Sequence, residues 1–178
     1  FEISGEVVSC AVGVDSSEQT VIEPGGFIDN MHVNARDCGY RLINRAEISI
    51  GSASAYKADG LYNDGASEWF GIDVGDQSSV RVGEFINNVG STHTPVSRNT
   101  GIRFGANSYN SHVGHMESRN VGVLCEIGAV DGLNVSSMTS TNGVIGYNIT
   151  GVPRAVTLGP IIEGVTPLIT DFLLMSAS

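Results

Sequence analysis

Apolar and polar residues alternate along several short stretches of this chain. In Gly39-Tyr40-Arg41-Leu42, Tyr40 and Leu42 fall on one side and Arg41 on the other. The same alternation sets Ile72 and Val74 against Asp73, Ile102 and Phe104 against Arg103, and Val123 and Cys125 against Leu124. Period two marks a strand with one buried face. These stretches therefore predict strands whose apolar members point inward. Helical periodicity is weak throughout, and Asp171–Met175 reads as a short helix or a final strand.

Each predicted strand follows a small residue, and the spacing repeats. Anchors at Gly39, Gly71, Gly101, Gly122, Gly143 and Thr166 lie 32, 30, 21, 21 and 23 residues apart. A second series runs out of phase: Val33-Asn34, Ile50-Gly51, Val82-Gly83, Val113-Gly114, Val135-Ser136 and Leu158-Gly159. Two strand segments per repeat imply a coil whose turns stack. Stacking by the second series predicts Arg81 beside His112 and Glu84 beside His115. The anchor glycines read as corners that turn the chain. The polar residues Asp59, Asn99, Asn120 and Asn142 before them suit turns.

From each anchor to the next second-series residue the distance is 11, 11, 12, 13 and 15 residues. The excess of the two long repeats therefore falls on the other side, at Tyr56–Phe70 and Asn87–Thr100. Both insertions are expected to leave neighbouring turns at one point of the contour. Insertions of this kind map to one face, which is often the binding face.

Composition narrows the function. Hydrophobic residues make up 41% of the chain, enough for a core, and charged residues only 16%. The net charge is −10 with a single lysine, Lys57. Neutralising phosphates needs clustered Lys or Arg, so neither nucleic acid nor an anionic membrane is an expected partner. Cys10, Cys38 and Cys125 are odd in number and lack paired spacing, which argues against a disulfide framework. Cys125, on an apolar strand, reads as a buried thiol. No metal-ligand spacing and no apolar run long enough to span a bilayer occurs. There is no signal-peptide pattern, and a chain opening on Phe1 reads as a processed product or fragment. The tripeptides Asn134-Val-Ser and Asn148-Ile-Thr match the glycosylation pattern, but Asn-rich corners account for both.

The repeat of about 21 residues, the Asn-rich corners and the insertions on one side resemble the right-handed parallel β-helix. Within that group the irregular repeat, acidity and Gly/Ser/Asn richness are similar to bacteriophage tailspikes and tail appendages, and to the wider pectate-lyase-like superfamily. The resemblance runs from Ile28 to about Ile169 and is architectural; no active-site motif matches residue by residue. It implies an all-β solenoid of about six turns with two adjacent loop insertions. It divides the chain into an N-terminal segment or partial turn (1–26), the helix (27–170) and a C-terminal cap or interface tail (171–178). It further implies a homotrimer on a virion tail or outside the cell, with a glycan bound along a face or between subunits. No cofactor is implied.

Several residues carry candidate chemistry. The first insertion holds Tyr62, Asp64, Glu68, Trp69 and Phe70. Aromatic faces suit the C–H faces of sugars and carboxylates accept from hydroxyls, although Trp69 and Phe70 equally suit pinning the loop to the coil. The second insertion carries His93 and Arg98. His115, Glu117 and Arg119 follow where later turns lack long loops, and would floor a groove between the insertions. Paired carboxylates among Asp64, Glu68, Glu84 and Glu117 would serve glycoside hydrolysis. His115 with Arg119 would serve elimination. The bland alternative is a solvated ladder of weak ion pairs.

Three functions fit. The first is an attachment module binding a bacterial surface polysaccharide. The second is a polysaccharide hydrolase or lyase on the same face, and the third a structural stalk. Fold alone does not separate them.

Overall fold

The computed structural model describes residues 2–16, 27–57, 68–75, 77–89, 99–163 and 170–174. Among these there is no helix, and the strands form one strongly curled parallel sheet. In chain order they are β1 (Glu2–Ser16), β2 (Phe27–Leu42), β3 (Glu47–Lys57), β4 (Trp69–Val74), β5 (Ser79–Val89), β6 (Asn99–Phe104) and β7 (Tyr109–Arg119). Then follow β8 (Val123–Ile127), β9 (Asp131–Thr141), β10 (Ile145–Ile149), β11 (Arg154–Leu158), β12 (Ile161–Glu163) and β13 (Thr170–Leu174).

Two ladders share β2. Its first half pairs with β3, which leads through β5, β7 and β9 to β11 and β12. Its second half pairs with β4, which leads through β6, β8 and β10 to β13. The two ladders thus climb side by side, each strand pairing with the strand one repeat away. That is the pairing of a β-helix-like solenoid. β1 runs parallel to β2 along both halves, and Asp171–Leu174 belongs to a strand rather than a helix.

The core lies between the ladders. Ala53, Phe85, Met116, Met138 and Ile161 form one inward column on the first ladder. Tyr40, Ile72, Ile102, Cys125 and Tyr147 form another on the second. The Tyr40 ring meets Phe85 edge-on at 5.7 Å, and its hydroxyl donates to the Met31 carbonyl at 3.0 Å. A buried phenol needs such a partner.

The second-series alignment holds from Ile50 onward, where Ile50, Val82, Val113, Val135 and Leu158 stack in register; Val33 instead pairs with Ala55, and Ile28 takes the place beside Ile50. Arg81 accordingly lies opposite His112, and Glu84 opposite His115.

The glycine series holds only in part. Ile72 pairs with Ile102, but Ile102 pairs with Cys125 and Cys125 with Tyr147. Gly101 therefore sits opposite Leu124 rather than Gly122, a slip of two residues. Leu124, expected to point outward, is fully buried, and it and Cys125 both join the core. Two consecutive inward residues break the alternation there. Val123 is buried outside that cluster.

Of the anchor glycines, Gly122 and Gly143 lie in the bends between strands, as corners should, but three others do not. Gly39, Gly71 and Gly101 lie inside strands, and none has a positive φ. Their need is space. A Cβ on Gly39 would fall 2.5 Å from the Ala55 Cβ, and one on Gly71 would fall 1.8 Å from the Asn87 Oδ1. The glycine column admits the small inward column Ala55, Asn87, Ser118 and Ser140 of the facing ladder. Asn99, expected in a turn, is a buried strand residue. Asn120 and Asn142 do occupy turns, with φ of 57° and 58°.

Candidate functional site

The first ladder reaches the excursion corner with Lys57 beside Val89, and the second leaves it with Trp69 beside Asn99. Stretches 58–67 and 90–98 therefore have their described ends on adjacent turns at one corner. They are shorter than expected, because Tyr56, Lys57, Trp69, Phe70, Asn87 to Val89, Asn99 and Thr100 all belong to strands. On the next turns the corner is a compact asparagine step. The Asn142 side-chain amide donates to Asn120 Oδ1 at 3.0 Å, and the Asn120 amide donates to the Val89 carbonyl at 3.0 Å. Asparagine tolerates the left-handed conformation this step requires.

Tyr62, Asp64, His93 and Arg98 lie outside the described residues. Glu68 is exposed at the corner. Trp69, beside it, is fully buried in the core, and its indole N–H donates to the Ala35 carbonyl at 3.2 Å. A sugar platform needs an open ring face, so Trp69 is left to its packing role, the pinning alternative of the sequence reading.

Glu84, His115, Glu117 and Arg119 form the first-ladder side of the corner. Arg119 Nε donates to Glu117 Oε1 at 2.6 Å. The Arg119 side chain is 49% exposed and that of Glu117 is half-buried at 28%, so the pair contributes about 1 kcal/mol at most. His115 pairs its Nδ1 with Ser137 Oγ at 2.9 Å. Glu84 sits one rung away from His115. These four residues share one face without converging on a common point.

The second-ladder side carries a tighter arrangement. Arg41, Asp73, Arg103, Glu126 and Asn148 stack in register as one column. Arg103 grips Asp73 with two bonds, Nε to Oδ1 at 2.8 Å and Nη2 to Oδ2 at 2.7 Å. Its guanidinium also lies 3.8 Å from the centre of the Phe70 ring, a cation–π contact. Asp73 is only 7% exposed, so both faces of β4 are buried.

Glu126 extends the column on the far side of Arg103. Burial pushes its carboxyl above the ordinary range; Arg103 opposes that shift, and the negative charges of Glu68 and Asp73 add to it. No hydrogen bond to its carboxylate is made by a described residue, while Asn148 Oδ1 is buried without a partner. The corner thus presents one half-buried carboxyl that resists ionisation, one exposed carboxylate at Glu68, and a guanidinium already committed to Asp73.

Part of this column is visible in the sequence. Arg41, Asp73 and Arg103 were expected to point outward, one residue after an inward apolar partner. Glu126 was missed because the glycine series aligned Leu124 with Arg103. Charge alternation along the column was the signal that would have found it.

Among the described residues no group of three or more His, Cys, Asp or Glu side chains could hold a metal. No helix in them is long and apolar enough to cross a membrane. The fold and this corner define a β-helix-like protein with a charged outer column beside two excursions. Compared with protein-family models, curated proteins and solved structures, the chain matches none.

Proposed function

We propose that the chain is an attachment module of the tailspike type. In this reading it is a right-handed parallel β-helix of about six turns, works as a homotrimer on a virion tail, and binds a bacterial surface polysaccharide. One observation carries the reading: both excursions leave consecutive turns at one corner, between Glu117–Arg119 and the Arg41–Asn148 column. A stacked coil repeats its surface about every 4.8 Å. A repeating polymer lying along it meets similar groups turn after turn. Glu68 and Glu126 supply acceptors for sugar hydroxyls. The net charge of −10 disfavours a polyanionic polymer.

The test is incubation with purified capsular and lipopolysaccharide chains, followed by gel filtration. Co-elution with a polysaccharide of unchanged length, weakened in Glu126→Gln, supports attachment. Failure to co-elute with any of them refutes it. Light scattering on the same samples reads the trimer directly, and a monomer refutes that part.

Glu126 favours a second reading, a depolymerase. A carboxyl that burial makes a weaker acid, with a second carboxyl at Glu68, matches the division of labour that glycoside cleavage uses. Shortened chains, with shortening lost in Glu126→Gln, would select this reading over attachment.

A further inference from the structure

The opposite corner, where the second ladder returns to the first, holds a recess unrelated to the excursions. Arg45, Glu47, Gln77 and Tyr109 line it, and its volume is about 200 Å³. Sites that engulf a drug-sized ligand run to about 300–1,000 Å³, so this one has room for a single small ring.

Three successive turns build it. Arg45, Gln77 and Asn107 occupy equivalent places, because Ala46 bonds to Ser78 and Ser79, and Tyr109 bonds back to Ser78. All three have left-handed backbones, with φ of 70°, 63° and 61°. Asn107 is an ordinary residue for that conformation; Arg and Gln are not. Their strain is retained at the two turns whose side chains enter the recess, and strain of that kind marks sites with a task.

The polar groups are arranged with donors and acceptor side by side. Arg45 Nε donates to Gln77 Oε1 at 3.1 Å, which orients the Gln77 amide N–H groups away from Arg45. The terminal N–H groups of Arg45 make no other bond among the described residues. Tyr109 reaches past the intervening turn to donate its hydroxyl to Glu47 Oε1, leaving Oε2 as an acceptor. Its ring forms an apolar wall. One cation and one anion cancel, so the recess carries no net charge.

We propose that this recess is a binding site for a neutral, hydroxyl-rich ring, a single pyranose unit, held by Arg45 and Gln77 as donors, Glu47 as acceptor and the Tyr109 ring as platform. Adjacent hydroxyls can donate to a carboxylate and accept from a guanidinium at once. An anion would meet Glu47, and a cation Arg45. The site stands on its own geometry and does not require the polysaccharide reading of the excursion corner.

The test is an NMR titration of the isotope-labelled chain with methyl glucoside, methyl galactoside and methyl N-acetylglucosaminide, and separately with inorganic phosphate. Saturable shifts of the Arg45 Nε–H, the Gln77 amide and the Tyr109 ring with at least one glycoside, and none with phosphate, uphold the site. Gln77→Gly removes the amide while relieving the backbone, so it should melt no lower than the parent yet bind about tenfold more weakly. Unchanged binding in that variant overturns the proposal. So does the absence of saturation with every glycoside, or saturation by phosphate alone. Polysaccharide co-elution that survives Gln77→Gly would leave the excursion corner standing without this site.

Discussion

Gly71→Ala should be among the most damaging single-methyl additions this chain can receive. The new Cβ would lie 1.8 Å from Asn87 Oδ1 and 2.5 Å from the Gly101 carbonyl oxygen. Non-bonded heavy atoms settle near about 3.5 Å, so both neighbours must move. Asn87 is fully buried, and its amide donates to Ser118 Oγ at 3.3 Å. Displacing it breaks that bond, at about 1 kcal/mol. The Gly101 oxygen is backbone in a paired strand and yields less. Overpacking adds about 1–3 kcal/mol, giving a total loss of about 2–4 kcal/mol. For a chain of this length that lowers the melting temperature by roughly 5–15 °C. The matched control is Gly75→Ala, where the nearest atom is the Ile43 Cγ2 at 3.8 Å and φ is not positive. Fewer unfolded conformations should make that change neutral or stabilising by up to about 1 kcal/mol. Asn87→Ala in the Gly71→Ala background should recover part of the loss, because it removes the nearer clash. Circular dichroism melts and urea titrations read all three. If Gly71→Ala proved as benign as Gly75→Ala, the close approach of the two ladders would be wrong, and the account of the glycine column with it.

Other residues make separate demands. Arg103→Ala strips two charged hydrogen bonds from Asp73, whose side chain is 10% exposed. The expected loss is about 2–3 kcal/mol by urea unfolding, below that of a fully buried pair because the Arg103 side chain is 31% exposed. Adding Asp73→Asn to Arg103→Ala should recover part of it, and no recovery would argue against the pairing. Glu126 has a raised folded pKa, so the folded state holds its proton more tightly than the unfolded chain. Its contribution is favourable at low pH and declines as pH rises from the unfolded value of 4.5 through the folded one. Glu126→Gln should therefore stabilise the protein at neutral pH and flatten that decline; an unchanged pH–stability curve would refute the burial. Cys125 is fully buried and its thiol is pushed well above the ordinary range by burial. Peptide-resolved iodoacetamide labelling should leave it unmodified in native protein and modify it in urea, whereas rapid native labelling would contradict its place in the core.

The columns set by Val82, Val113, Val135 and Leu158 could be read from spacing alone, since a stacked strand keeps its inward positions at a nearly constant distance from the corner. So could the adjacent departure of the two excursions, which follows from where the extra length falls. The outward place of Arg41, Asp73 and Arg103 followed from alternation within each strand, a local property. Register on the second ladder was different. Glycines recurring every 21 residues suggested one alignment, but the pairing of Ile102 with Cys125 slips it by two. A slip of two keeps most side chains on their faces, so the local pattern holds no signal against it. The choice falls to packing: Leu124 fits opposite Gly101, and the small inward column of the facing ladder fits the glycines. That slip also carries Glu126 up against Arg103, and it is why the charged column became visible only when the turns were stacked. Trp69 tells the same lesson, because an aromatic next to a predicted loop can face either solvent or core, and only the carbonyl of Ala35, 34 residues away, decides which.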